Sequence, residues 1–142
     1  SVLRVKSALT VNGNQGLGIE VGRNSTLSCR GSELSVQIME NAGSGIGIYQ
    51  QSVGRFDPGT QITANVGDGL LIANNSSVYA RELSVNGNSR GVQIDDGSSA
   101  IFSGCTLNSN GPVDLGVYFG SRVTNNASDL GIVNSDTTVL MR

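Results

Sequence analysis

The stretch Gly91-Val-Gln-Ile-Asp-Asp-Gly-Ser98 recurs along the chain in altered form, and that recurrence limits the fold more than any other feature. Gly18-Ile-Glu-Val-Gly-Arg-Asn-Ser25, Gly45-Ile-Gly-Ile-Tyr-Gln-Gln-Ser52 and Gly69-Leu-Leu-Ile-Ala-Asn-Asn-Ser76 repeat the pattern of glycine, aliphatic, any residue, aliphatic, three polar or small residues, serine. A fifth copy is expected at Gly116, with Val117 and Phe119 in the aliphatic places and no serine in register. The glycines at 18, 45, 69, 91 and 116 are 27, 24, 22 and 25 residues apart. Periods of about 20 to 50 residues belong to solenoids, propellers and arrays, whose units bury an apolar face only by stacking.

Between the glycines, three apolar alternations recur. After each glycine come Ile19 and Val21, Ile46 and Ile48, Leu70 and Ile72, Val92 and Ile94, then Val117 and Phe119. The residue between them is Glu20, Gly47, Leu71, Gln93 or Tyr118, so a short strand shows one face inward and one outward. A second inward pair is Leu27 and Cys29, Gly54 and Phe56, Val78 and Ala80, Ala100 and Phe102. A third strand is read in Leu34-Ser-Val36-Gln-Ile38, Ile62-Thr-Ala64, Leu83-Ser-Val85 and Cys105-Thr-Leu107.

Three strands and three turns fit the repeat length, whereas a propeller blade needs about 40 residues. The expected fold is an all-β, single-stranded parallel β-helix of about six coils, each coil one rung of roughly 4.8 Å. One domain is expected over 1–142: an incomplete first coil at 1–17, regular coils at 18–119 and a degraded terminal coil at 120–142. Asn12, Asn41, Asn65, Asn86 and Asn110 are expected in bends that favour left-handed backbone, bonded from coil to coil. Ser25, Ser52, Ser76 and Ser98 form a second such column. Loops are expected at Arg30 to Glu33, at Asp57-Pro58-Gly59 and at Asn110 to Val113.

Charge excludes some partners. The net charge is −2 and the nine Lys and Arg residues are scattered in sequence, so neither nucleic acid nor another polyanion is an expected partner. Arg30, Asp57 and Arg81 alternate in sign and read as a salt-laced edge. No apolar run reaches the roughly 20 residues of a membrane span, and Ser1-Val-Leu-Arg-Val-Lys6 lacks a signal peptide's apolar segment. With no histidine, neither a nucleophilic triad nor a zinc site is expected. Cys29 and Cys105 fall about three rungs apart, roughly 14 Å, and are expected as free buried thiols.

Through the Gly-aliphatic-x-aliphatic…Ser unit, from Gly18 to about Phe119, the chain resembles the right-handed parallel β-helix superfamily typified by pectate lyases. Phe119 to Asn126 and Asp136 to Arg142 also resemble the closing segment of bacterial β-helix proteins. The superfamily resemblance implies extracellular or cell-surface work on acidic polysaccharides, as an enzyme or a surface protein. In the enzymatic version Asp95 and Asp96 are the paired carboxylates, joined by Arg90 and Arg122 in a polysaccharide lyase or glycoside hydrolase, with Ca²⁺ only in the lyase. No acidic residue is expected to join that pair from a neighbouring coil, and Asp-Asp-Gly is ordinary turn chemistry. The reading is therefore a non-catalytic module that presents a surface for carbohydrate or for self-assembly, without cofactor or metal. Its expected binding face is Glu20, Gln93 and Tyr118 with Tyr49, Asp95 and Asp96 beside them. No amphipathic helix caps the first coil, which points to a partner chain such as a second copy in a homo-oligomer, to a missing segment, or to a modest cap made from these residues.

Overall fold

The computed structural model describes residues 1–31 and 33–136, and the backbone of 140 and 141. The second part of the closing-segment resemblance, from Asp136 to Arg142, therefore falls mostly outside the described residues, and Ser32 of the expected loop at Arg30 to Glu33 lies outside them too.

Short runs of alternating apolar residues become strands, and turns every few residues wind them into rungs. Coil by coil these are β1 (Val2–Val5), β2 (Ala8–Asn12) and β3 (Ile19–Val21); β4 (Thr26–Cys29), β5 (Ser35–Met39) and β6 (Ile46–Ile48); β7 (Val53–Phe56), β8 (Thr60–Thr63) and β9 (Asp68–Ile72). Next come β10 (Ser77–Arg81), β11 (Ser84–Asn86) and β12 (Arg90–Ile94), then β13 (Ser99–Ser103), β14 (Thr106–Leu107) and β15 (Leu115–Val117). β16 (Arg122–Asn126), β17 (Val133–Ser135) and β18 (Leu140–Met141) follow. Each strand pairs in parallel with its counterpart one coil away, giving sheets A, B and C of seven, five and six strands among the described residues. The chain is a parallel β-solenoid of five coils with all three strands, a sixth formed by β16 and β17, and β18 one rung beyond. The first coil, which the sequence makes incomplete, does supply β1 and β2.

The core is the stack of inward columns. Ile46, Leu70, Val92 and Leu115 follow one another in sheet C, and Ile48, Ile72, Ile94 and Val117 in the next inward place. All eight are buried to 1% or less exposure. At about 25 cal/mol per Å² of apolar surface removed from water, each such side chain contributes on the order of 2 kcal/mol.

Three expectations of register change, in the fifth repeat, in sheet B and in the asparagine column. The fifth repeat starts at Asp114, not Gly116: Val92 pairs with Leu115, Gln93 with Gly116 and Ile94 with Val117. Phe119 consequently leaves the core and is 69% exposed. The serine column also continues, since Ser98 N–H donates to Ser121 Oγ at 3.2 Å after Ser25, Ser52 and Ser76 donate in the same way to the serine one coil on. In sheet B, Val36 pairs with Thr60 and Ile38 with Ile62, so Thr60 points inward and Ala64 sits exposed at φ 56° in the turn.

The asparagine column is Asn14, Asn41, Asn65, Asn88 and Asn110 rather than one through Asn12 and Asn86. Each amide donates to the next Asn Oδ1 at 2.8 to 3.0 Å, and each Oδ1 also takes the previous Asn backbone N–H. The left-handed residue is the one before the asparagine, namely Gly13, Glu40, Ala64, Gly87 and Ser109. The repeat glycine is needed for room. A Cβ at Gly69 would lie 2.7 Å from Asn88 Nδ2 and 2.5 Å from the Val85 side chain, and Gly18, Gly45 and Gly91 meet the amides of Asn41, Asn65 and Asn110 in the same way.

Asp114 explains the lost glycine. Its Oδ1 accepts from the backbone N–H and the Nδ2 of Asn110, both at 2.9 Å, and its Oδ2 accepts from Ile132 N–H at 2.8 Å. Burial pushes this carboxyl up, but those hydrogen bonds outweigh it and hold the group below its ordinary value of 3.8.

Replacing Asn88 by Ala should lower stability to urea unfolding by about 3 kcal/mol, because two donors on Asn65 lose their acceptor inside the wall, while Asn86→Ala should cost under about 0.5 kcal/mol. Equal losses would contradict the revised ladder. The depressed Asp114 value contributes stability that is fully present above the unfolded value of 3.8 and lost as pH falls through the folded value. Asp114→Asn should therefore be less stable at pH 7 and show a flatter acid limb in a pH series of unfolding midpoints.

Candidate functional site

Asp95 and Asp96 follow β12 at the corner between sheets C and A. In the matching corners stand Tyr49 and Gln50, Ala73 and Asn74, then Tyr118 and Phe119. The second residue of each pair is left-handed, with φ 55° at Gln50 and Asn74, 53° at Asp96 and 54° at Phe119. The two carboxylates are thus carried by an ordinary corner of the solenoid. Asp95 Oδ2 accepts from Gln93 Nε2 at 2.9 Å, and Asp96 Oδ2 from Asn74 Nδ2 at 3.3 Å. Asp95 Oδ1 is buried without a partner, alone in this among side-chain polar atoms of the described residues.

The arginines expected beside them are placed otherwise. Arg90 begins β12, roughly 16 Å along the strand from Asp95 at about 3.3 Å per residue. It is bound to Asp68, Nε to Oδ1 at 2.6 Å and Nη2 to Oδ2 at 3.2 Å. Arg122 opens β16 in sheet A and pairs with Ser99. Among the described residues no group of three or more His, Cys, Asp or Glu side chains surrounds a metal position. Calcium takes six to eight oxygens, whereas here one oxygen of each aspartate already faces an amide N–H. The donor set does not fit that ion.

On the outer face of sheet C the expected aromatic column survives through a different register. Glu20, Gly47, Leu71, Gln93 and Gly116 succeed one another across the strands. Tyr49 and Tyr118 belong to the corners, yet each ring folds back over the glycine two residues before it. A Cβ at Gly47 would sit 2.4 Å from the Tyr49 ring, and one at Gly116 2.7 Å from that of Tyr118. Both rings therefore lie in the Glu20–Gln93 column. Burial first, then the negative charges of Glu20 and Asp68, raise the Tyr49 hydroxyl above its ordinary value.

Sheet A carries what sequence reasoning missed. Its middle outward column runs Arg4, Ser28, Arg55, Tyr79, Ile101 and Thr124. The column beside it runs Lys6, Arg30, Asp57, Arg81 and Ser103, one residue after the inward Val5, Cys29, Phe56, Ala80 and Phe102. Five of the nine Lys and Arg residues of the chain, Arg4, Lys6, Arg30, Arg55 and Arg81, thus stand in these two columns with one acid, Asp57, and Arg122 opens β16 on the same outward face. Arg4, Arg30, Arg55 and Arg81 stand one per coil and alternate between the two columns. Arginines 26, 25 and 26 residues apart look scattered in sequence, and only the coil lengths show that they align.

Asp57 is anchored among them, 3.2 Å from Arg81 Nη2 and 3.7 Å from Arg30 Nε, so the expected salt-laced edge is present. The Arg55 guanidinium lies 5.9 Å from the centre of the Tyr79 ring. Tyr79 and Ile101, 50% and 36% exposed, line a groove of about 380 Å³ with Arg30, Arg55 and Arg81. A second groove, of about 530 Å³, shares Arg30, Asp57 and Arg81 and reaches Arg4 and Lys6.

Residues 7–139 match the model of the right handed beta helix region, and the chain belongs to that right-handed β-helix family. No curated protein and no solved structure was found to match it.

Cys29 and Cys105 are free and buried. Burial pushes the Cys29 thiol up to about 11 and raises Cys105 too, against four hydrogen bonds that pull it down. Since the thiolate is the nucleophile, neither should react with iodoacetamide at pH 8 in the native protein, and both should react in urea. Mass spectrometry of the alkylated protein reads this directly.

Proposed function

We propose that the protein is a non-catalytic β-helix module that binds an acidic glycan along the outer face of sheet A. The observation that carries this is the alternating row of Arg4, Arg30, Arg55 and Arg81, one per coil, on a protein of net charge −2. Arginine pairs with carboxylates through two parallel N–H donors. A linear chain lying along the solenoid axis, with one acid per sugar on alternating sides, meets one guanidinium at each rung of roughly 4.8 Å. Tyr79 and Ile101 give its C–H surfaces an apolar floor between the cations. Exposed ion pairs contribute only about 0.2 to 1 kcal/mol each, so four of them support binding near the millimolar range.

Self-assembly is the second reading. Val2 and Leu3 are 56% and 55% exposed on β1, and exposed apolar side chains of this kind suit a contact between copies.

Titration calorimetry with polymannuronate and polygalacturonate should show binding at low salt that fades near 0.5 M NaCl, where screening shortens to roughly 3 to 5 Å. Arg55→Ala and Arg81→Ala should each weaken it by up to about fivefold. Equal binding of uncharged dextran would overturn the electrostatic reading. Tighter binding of single-stranded DNA than of either polyuronate would replace the glycan. Ultraviolet-absorbing unsaturated product from wild type but not from Asp96→Ala would make the chain a lyase. Light scattering that finds dimers dependent on Leu3 would move the weight to self-assembly.

A further inference from the structure

A second surface lies at the corner between β15 and β16, and none of its residues lines the sheet A grooves. In this left-handed place the other coils hold Arg23, Gln50, Asn74 and Asp96, all polar, whereas here stands Phe119. A bulky side chain at φ 54° is unfavourable, and strain of that kind collects at functional sites. Burial does not compensate it, because the ring is 69% exposed.

The backbone holds it firmly. Phe119 N–H donates to Asp136 Oδ2 at 2.9 Å, and Phe119 C=O accepts from Gly97 N–H at 3.0 Å. Beside it, the Tyr118 ring is laid over Gly116, which has no side chain to lift it. The two ring centres are 6.3 Å apart and tilted by 50°. Together with Arg90, Gln93 and Val113 the rings line a cleft of about 340 Å³.

Each polar group at this cleft is steered by a partner outside it. Gln93 gives its amide N–H to Asp95, which leaves Oε1 as an acceptor. Arg90 is neutralised by Asp68 through Nε and Nη2, which leaves further N–H donors without adding net charge. The cleft therefore offers aromatic faces, one acceptor and one fork of donors.

We infer that this cleft is a binding site for a single neutral pyranose, stacked on Tyr118 and Phe119 with its hydroxyls on Gln93 Oε1 and the Arg90 guanidinium. The electron-rich ring faces attract the slightly positive C–H edge of a sugar. A tilt of 50° cradles a puckered ring rather than sandwiching a flat one. The volume lies at the small end of ligand clefts, which suits one sugar and not a peptide. The site stands apart from the acidic-glycan face and takes uncharged ligands.

The chain has no tryptophan, so emission comes from Tyr49, Tyr79 and Tyr118, and backbone NMR shifts locate the ligand. Methyl β-glucopyranoside, methyl β-galactopyranoside and methyl α-mannopyranoside serve as probes at millimolar concentrations. At least one should give saturable shifts at Gln93, Tyr118, Phe119 and Gly120. Phe119→Asn, which puts the residue of Asn74 into the same place, should keep the fold and weaken that binding tenfold or more. Arg55→Ala should leave it unchanged. The inference is overturned if none of the three sugars shifts these residues, or if Phe119→Asn binds as wild type does. It is also overturned if sedimentation shows self-association that Phe119→Asn abolishes, because the aromatic pair is then a contact between copies.

Discussion

Stacking of like on like at one rung spacing is the constraint on which this molecule depends. A parallel coil buries its inward side chains across the core and against the same places above and below, so Ile48 stacks on Ile72 and Ile72 on Ile94. The polar columns obey the same rule more strictly. A buried Asn amide costs free energy unless its hydrogen bonds are made, and only an asparagine at the same place in the next coil offers both donor and acceptor at the right height. Repeat glycines follow from this, since a Cβ at Gly69 would strike the Asn88 amide. What looks like a motif is the space that the ladder leaves.

Because the strands are fixed by stacking, outward places are free to vary, and function can be read only there. Sheet A uses its outward columns for cations and Tyr79, while sheet C uses its own for tyrosines laid over glycines. Coils differ in length at the corner between sheets A and B, where Arg30 to Leu34 and Asp57 to Gly59 outrun the corner at Glu82 and Leu83. Such extra residues leave the rungs beneath them in register. Strand register, through Cys29, Phe56 and Ala80, places Asp57 between Arg30 and Arg81, which organises two guanidiniums on an otherwise exposed face.

The fold was legible in the sequence because inward residues repeat. Ile19, Ile46, Leu70 and Val92 fall in one column, as expected from the places after the glycines. Legibility failed where one residue type serves two purposes. Gly116 looks like a repeat glycine, but it makes room for Tyr118, and the place in question belongs to Asp114. That slip of two residues sent Phe119 inward on paper, whereas it stands in solvent. Asn86 and Asn88 are equally plausible by spacing, and only the hydrogen bonds of Asn88 tell them apart. The arginine row was hidden for another reason. Charge clustering on a solenoid depends on exact coil lengths, so an error of one residue moves a side chain to the other face.

The Asn ladder also has a direction. From Asn14 to Asn88 each amide gives one N–H to the oxygen of the next asparagine, and Asn110 gives its own to Asp114, so the hydrogen-bonded row runs one way. Asp114 meets the positive end of that row with a negative group, as an anion meets the start of a helix. An aspartate accepts hydrogen bonds and has none to pass on. The row therefore ends in a terminator, and beyond Asp114 that corner is held by other means, as where Gly131 N–H donates to Asp129 Oδ1 at 3.1 Å. The length of the ladder, though not of the solenoid, is written into the chemistry of one side chain.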